Sequence, residues 1–184
     1  MMKKIWLLTK RVLLPVLFGL IVVAVYANVI APAPPAVGSI APLFTLPSQD
    51  GAPVNLADYR GQWVVLYFYP RDFTGGCTVE AHNFQRDQAQ YQKKSAVVLG
   101  VSVDSADSHK QFCTKEGLNF KLLADTRHTV SRAYGSLTNL GLVKFASRHT
   151  FIVDPEGKVA KVFTGVNPNQ HSDEVLSTLA ELQK

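Results

Sequence analysis

The chain has 184 residues, room for one ordinary domain and an extra segment, and carries a formal net charge of +5 with 47% hydrophobic and 18% charged residues. Four of its 19 basic residues fall within the first eleven positions, which leaves fifteen against 14 acids in the remainder, a net of +1, with Lys93-Lys94 the only adjacent basic pair there. That balance argues against a nucleic-acid partner, because a solvated helix end accounts for one lysine pair and no basic stripe accompanies it.

At the front, Lys3, Lys4, Lys10 and Arg11 precede residues 12–49, which hold no charged side chain, and residues 12–30 are almost wholly apolar. A run of that length spans a bilayer as a helix, and Pro15 and Gly19 are tolerated in such a helix. It exceeds the ~7–15 apolar residues usual in a cleaved signal peptide, so residues 1–31 are expected to form an uncleaved membrane anchor. Cleavage near Ala27 or Ala31, with secretion, is the competing expectation. The positive-inside rule keeps the basic end in the cytoplasm and sends the C-terminal domain across a bacterial inner membrane to the extracytoplasmic side. No cysteine precedes Cys77, which excludes lipid attachment at an N-terminal cysteine.

Residues 32–36, Pro32-Ala33-Pro34-Pro35-Ala36, read as a polyproline-like spacer extended at roughly 3 Å per residue, and residues 37–184 as the domain. Within the domain, short apolar runs alternate with helical patterns, the order of an α/β fold. Residues 63–69 and 96–103 are continuous rather than alternating apolar runs, which predicts central strands covered on both faces. Residues 78–92 between them have helix-forming composition, so a strand–helix–strand crossover is expected. Further helices are predicted over 107–116, stopped by Gly117, over 127–134, ended by Gly135, and from near Ser172, with Asp173 and Glu174 in the first turn. A short strand is expected at 119–123, and strands at 149–153 and 158–163 flank the turn Asp154-Pro155-Glu156-Gly157. Aromatic residues along the strands are read as core, and no internal repeat is present.

The most informative stretch runs from Tyr69 to Cys77, where a hydrophobic strand leads through Gly75-Gly76 into a helix whose first turn carries Cys77. Amides at a helix N-terminus point at whatever sits there and stabilise an anion, so Cys77 is the expected nucleophile. The simpler alternative is a structural disulfide between the two cysteines of an exported domain. A structural bridge has no need of Thr74, two glycines and a helix start around one partner, whereas a tuned thiol does.

With Pro70, Thr74 and Cys77 spaced as P-x-x-x-T-x-x-C after a buried strand, the chain resembles the peroxiredoxins. Val37-Gly38-Ser39-Ile40-Ala41-Pro42-Leu43-Phe44, Asp58-Tyr59-Arg60-Gly61, Cys77-Thr78-Val79-Glu80-Ala81 and Arg148-His149-Thr150-Phe151-Ile152-Val153-Asp154 also fit that family. The resemblance covers residues 37–184 and is closest to the Q-type, or bacterioferritin-comigratory, subfamily. It implies a thioredoxin-like fold, a central mixed sheet flanked by helices, and reduction of hydrogen peroxide and organic hydroperoxides through a cysteine sulfenic acid.

Attack on an O–O bond needs a nucleophile held in line and donors for the charge growing on the departing oxygen. Cys77 is then the peroxidatic thiol, with Thr74, Arg148 and the amides beside Cys77 as donors, and Pro70 shielding the site. Standing alone, Thr74 would read as a helix cap and Arg148 as a surface arginine; the family register gives them roles. Glu80 either orients Arg148 through an ion pair or lies exposed on its helix. Two departures stand out. Gly75 occupies a position where most Q-type relatives carry proline, which implies a looser loop. His82 occupies the position, five residues after the first cysteine, where many relatives place the resolving cysteine. That role passes to Cys113, 36 residues after Cys77 on the next helix, because a minority of the subfamily resolves from that element. The alternative for Cys113 is an inert buried thiol. His109, four residues before it, either eases its ionisation or, as the favoured expectation, faces solvent.

The histidines lack metal-ligand spacing, so neither metal nor other cofactor is expected. The partners implied are a hydroperoxide and a thioredoxin-like dithiol reductant available outside the cytoplasm, with a monomer as the subfamily's usual state. A membrane-anchored thioredoxin-like thiol-disulfide oxidoreductase is the alternative enzyme, disfavoured because Cys77 has no cysteine within three residues. A tethered binding module with a permanent Cys77–Cys113 bridge is the non-enzymatic alternative.

Overall fold

Uninterrupted apolar strands belong in the middle of a sheet, and the two strongest runs within residues 37–184 lie there. The computed structural model describes residues 32–184. The spanning segment and cleavage sites read before residue 32 lie outside the described residues, and among the described residues no helix is long and apolar enough to cross a membrane.

In chain order the elements are β1 (Thr45–Pro47), β2 (Pro53–Asn55), a 3₁₀ turn (Leu56–Tyr59), β3 (Trp63–Phe68), α1 (Gly75–Arg86), α2 (Gln88–Lys93), β4 (Ala96–Ser102), α3 (Ala106–Glu116), β5 (Lys121–Ala124), α4 (Thr129–Ala133), β6 (Leu137–Asn139), β7 (Lys144–Ala146), β8 (His149–Val153), β9 (Val159–Thr164) and α5 (His171–Leu182). The main sheet has the order β5-β4-β3-β8-β9. β3, β4 and β5 run parallel, while β8 and β9 are antiparallel to their neighbours, so the sheet is mixed.

Side chains alternate across β3 and divide the core in two. Val65, Tyr67 and Tyr69 pack with Phe84, Tyr91, Phe112 and Leu179 of the α1, α2, α3 and α5 side. Val64, Leu66 and Phe68 pack with Phe44, Val130, Tyr134 and Phe151 on the other face. β3 therefore has no solvent face, which is why its sequence does not alternate.

Several boundaries differ from the sequence reading for identifiable reasons. The helix expected over 78–92 starts earlier, at Gly75, and is interrupted at Asp87. The buried Asp87 carboxylate accepts hydrogen bonds from Arg86, Gln90 and Ser172 of α5, so a tertiary tie fixes the break. The helix expected over 127–134 shrinks to Thr129–Ala133 because Asp125 accepts from the amides of Thr129 and Ser131 and so starts it late. The β1–β2 and β6–β7 hairpins, three residues per strand, fall below what periodicity can resolve.

Nor does the proline segment stand free of the domain. Gly135 has φ +60°, and a Cβ there would fall 2.5 Å from Pro32 O and from Pro34 N, so the segment rests on a backbone that only glycine can offer.

Candidate active site

The loop between β3 and α1 delivers Cys77 into the third residue of α1, with Thr74 in the N-cap position. Cys77 is 1% exposed. Its Sγ receives a hydrogen bond of 3.3 Å from Nη2 of Arg148, which arrives from the β7–β8 junction. The Nη1 of the same guanidinium donates to Oε2 of Glu80, one turn along α1 from Cys77. One planar cation thus bridges a buried carboxylate and the buried sulfur, a task suited to the arginine fork rather than to a lysine ammonium.

Burial pushes the Glu80 carboxyl up to about 7, with Arg148 opposing the rise. Partial burial works against the Arg148 charge, but the nearby Glu80 and Cys77 hold it above its usual range. Of the two sequence readings of Glu80, the ion pair is the one observed; the residue is 1% exposed. Gly76 borders this cation as well. A Cβ on it would lie 3.4 Å from Arg148 Nη2 and 3.7 Å from Pro168, ordinary contact distances, so the glycine lies directly against the guanidinium.

Thr74 makes no side-chain cap, and its hydroxyl donates instead to the Arg71 carbonyl at 3.0 Å. The residue is exposed. Pro70 is half-buried and follows the last residue of β3 by two positions.

Cys113 lies on α3, packed into the same core cluster as Cys77, and both thiols are free. Burial pushes the Cys113 thiol up to about 11, with the charges of Asp72 and Asp50 adding to the rise. The solvent-facing His109 expected from the sequence is contradicted. His109 is fully buried, with Nδ1 2.9 Å from Oδ2 of Asp72. Periodicity could not reveal this, because the partner lies on the Cys77 loop, 37 positions away. His82 pairs across to α3 instead, with Nε2 3.0 Å from Oε2 of Glu116.

Comparison with known proteins adds the family. Residues 37–162 match the AhpC/TSA family. The chain belongs to that family, among the Bcp and Q-type peroxiredoxins. It is 39% identical over 148 residues to peroxiredoxin Bcp of Escherichia coli, covering 78% of this chain and 95% of that one. It is 40% identical over 147 residues to the chloroplastic peroxiredoxin Q of Sedum lineare, covering 79% and 78%. Among solved structures, peroxidoxin BcpB of Mycobacterium tuberculosis superposes with a TM-score of 0.77 at 29% identity, covering 82% of this chain and 99% of that one. Peroxiredoxin Q of Xanthomonas campestris gives 0.72 at 36% identity, covering 77% and 92%. The mixed sheet with its flanking helices is therefore a thioredoxin-like fold, and this peroxiredoxin is a thiol peroxidase acting on a peroxide with a thiol reductant.

Proposed function

We propose that Cys77 is the peroxidatic thiol and that Cys113 resolves it. The Cys77 sulfur, as thiolate, attacks one oxygen of the hydroperoxide; the S–O bond forms, the O–O bond breaks, and the departing oxygen takes a proton to leave as water or alcohol. The Arg148 bridge between Cys77 and Glu80 carries this reading, because it puts a fixed cation 3.3 Å from the sulfur, where charge must be held before and during transfer. Thr74, expected from the sequence as a donor, has its one proton engaged with the Arg71 carbonyl and in this arrangement offers lone pairs to the peroxide O–H instead. Half-buried Pro70 limits water at the site. The Cys113 sulfur then attacks the sulfenic sulfur, forming the disulfide as the S–O bond breaks and the hydroxyl leaves as water with the thiol proton. An external thioredoxin-like dithiol supplies two electrons and two protons to restore both thiols.

The test is mass spectrometry of the reduced protein after one peroxide equivalent. A Cys77–Cys113 disulfide is expected; a free Cys113 beside an oxidised Cys77 would remove the resolving role.

We further propose that residues 1–31 tether a monomeric domain to the outer face of a bacterial inner membrane. The apolar run of residues 12–30 behind Lys3, Lys4, Lys10 and Arg11 supports the tether. A tether beside a bilayer makes lipid hydroperoxides a natural substrate class. Recovery of the full chain in the soluble periplasmic fraction, with a new N-terminus near residue 28 or 32, would reverse the tether.

A further inference from the structure

Five polar side chains outside the peroxide site are gathered where the Cys77 loop meets α3. Asp72, five residues before Cys77, accepts at Oδ1 from Tyr69 Oη (2.8 Å) and at Oδ2 from Ser108 Oγ (2.6 Å), and His109 Nδ1 lies 2.9 Å from Oδ2. The Asp72 amide donates to Asp104 Oδ2 at 2.9 Å. Asp72, Tyr69 and His109 are buried, and His109 Nε2 has no hydrogen-bond partner among the described residues. Although burial pushes the Asp72 carboxyl up, the hydrogen bonds and charge of His109, with those of Ser108 and Tyr69, hold it below its usual value.

The next residue adds a second tie. Phe73 has φ +60°, a backbone state that bulky residues avoid, yet it is 44% exposed and gains no deep burial in return. Its ring meets Phe112 edge-on at 5.2 Å between centroids, and Lys115 Nζ sits 5.5 Å above it. Asp72-Phe73 therefore grips α3 at Ser108, His109, Phe112 and Lys115, on both sides of Cys113 along the helix.

We propose that the Asp72–His109 pair and the Phe73 ring form a latch that holds the Cys77 loop against α3 in the dithiol state, and that its release gates formation of the Cys77–Cys113 disulfide. The inference rests on the resolving role proposed for Cys113. Both thiols are buried on different helices and unbonded, and a disulfide holds its Cα atoms within about 7 Å in a fixed geometry, so closure is taken to proceed by local unwinding beside one of them. The latch is the set of contacts that such unwinding breaks. Its opening also takes the Asp72 charge away from Cys113, which lowers the barrier to ionising the attacking thiol. The strain stored at Phe73 favours the open arrangement.

The test is quenched-flow oxidation of the full chain by one equivalent of hydrogen peroxide, with alkylation and mass spectrometry at each time point. Ser108→Ala removes one bond to Asp72, and Phe73→Ala removes the ring while keeping a residue with a Cβ, and hence the strain, at the left-handed position. Both should leave peroxide consumption unchanged and accelerate disulfide formation, on the order of tenfold for Ser108→Ala as expected for losing one hydrogen bond to a charged group. Val130→Ala, in the core cluster on the other face of the sheet, controls for general loosening and should not accelerate it. Disulfide formation that is unchanged or slower in both latch variants, or equally accelerated in the control, overturns the latch and leaves Cys113 as the resolver. Absence of the disulfide in the wild-type chain overturns the resolving role itself, and the latch with it.

Discussion

Cys77 and Cys113 sit on neighbouring helices, in one core cluster, both buried, and their electrostatic surroundings are opposite. Cys77 has the open amides of a helix start beneath it and a guanidinium 3.3 Å away. Cys113 lies past the middle of α3, where among the described residues burial and the charges of Asp72 and Asp50 push it up to about 11. The difference teaches that reactivity in this peroxiredoxin belongs to the position rather than to the thiol. On the roles proposed above, one cysteine is prepared to attack in the folded state, and the other stays quiet until Cys77 has become an electrophile.

The comparison breaks most completely at Cys77. Cys77→Ser should reduce peroxide consumption to background in a stopped-flow assay, and residual turnover carried by Cys113 would erase the asymmetry. Arg148→Ala removes the cation from the sulfur and should slow the first oxidation by about 10²–10³-fold, the range for losing one preorganised donor at a reacting charge. Arg148→Lys should recover only part of that loss, since an ammonium cannot form the planar fork to both Glu80 and Cys77.

Cys113→Ser sharpens the contrast from the other side. The first oxidation should proceed at the wild-type rate while the intramolecular disulfide disappears and sulfinic acid accumulates under excess peroxide, both read by intact mass.

Glu80 gives a finer test through pH. Its carboxyl titrates near 7 in the fold, so the anchor on Arg148 is ionised above that value and neutral below it. The rate constant of the first oxidation should therefore carry a limb near pH 7 that Glu80→Gln removes. Stability has the matching sign: a carboxyl raised in the fold contributes below its unfolded value and loses that contribution as pH rises through about 7.

The smallest effect concerns His171, fully buried, with Nε2 2.8 Å from Thr150 Oγ1. Burial, then the Arg148 charge, pushes it down to about 4. The unfolded chain thus binds the proton first, and stability should fall as pH drops from about 6.5 toward 4, by about 3 kcal/mol at most. Glu80, shifted upward by a similar amount, offsets most of that fall over nearly the same interval, so the histidine shows in the difference between variant and wild type. Urea melts of His171→Gln against the wild type, repeated across that pH range, isolate the histidine.

Much of the scaffold is legible without coordinates. Residues 63–68 and 96–102 form central strands because nothing in them tolerates solvent, and Gly117 ends α3 in the left-handed conformation expected of a helix stop. The break at Asp87 was not legible, because an aspartate inside a helical pattern ends it only when Arg86 and Ser172 are there to hold its carboxylate. His109 misleads for a related reason. Its helix presents lysine, glutamine and threonine nearby, and only the folded Cys77 loop supplies the buried acid that gives it a place.

By itself the amino-acid sequence determined the α/β order, the strand that carries the motif, and the placement of Cys77 at a helix start, since these rest on local periodicity, turn chemistry and backbone geometry. Tertiary structure alone decided that Arg148 reaches both Cys77 and Glu80, and that Asp72 and Phe73 grip the helix of Cys113. Those contacts join residues 36 or more positions apart, where no sequence period reaches, and a charge buried at such a junction takes its properties from whatever the fold brings beside it.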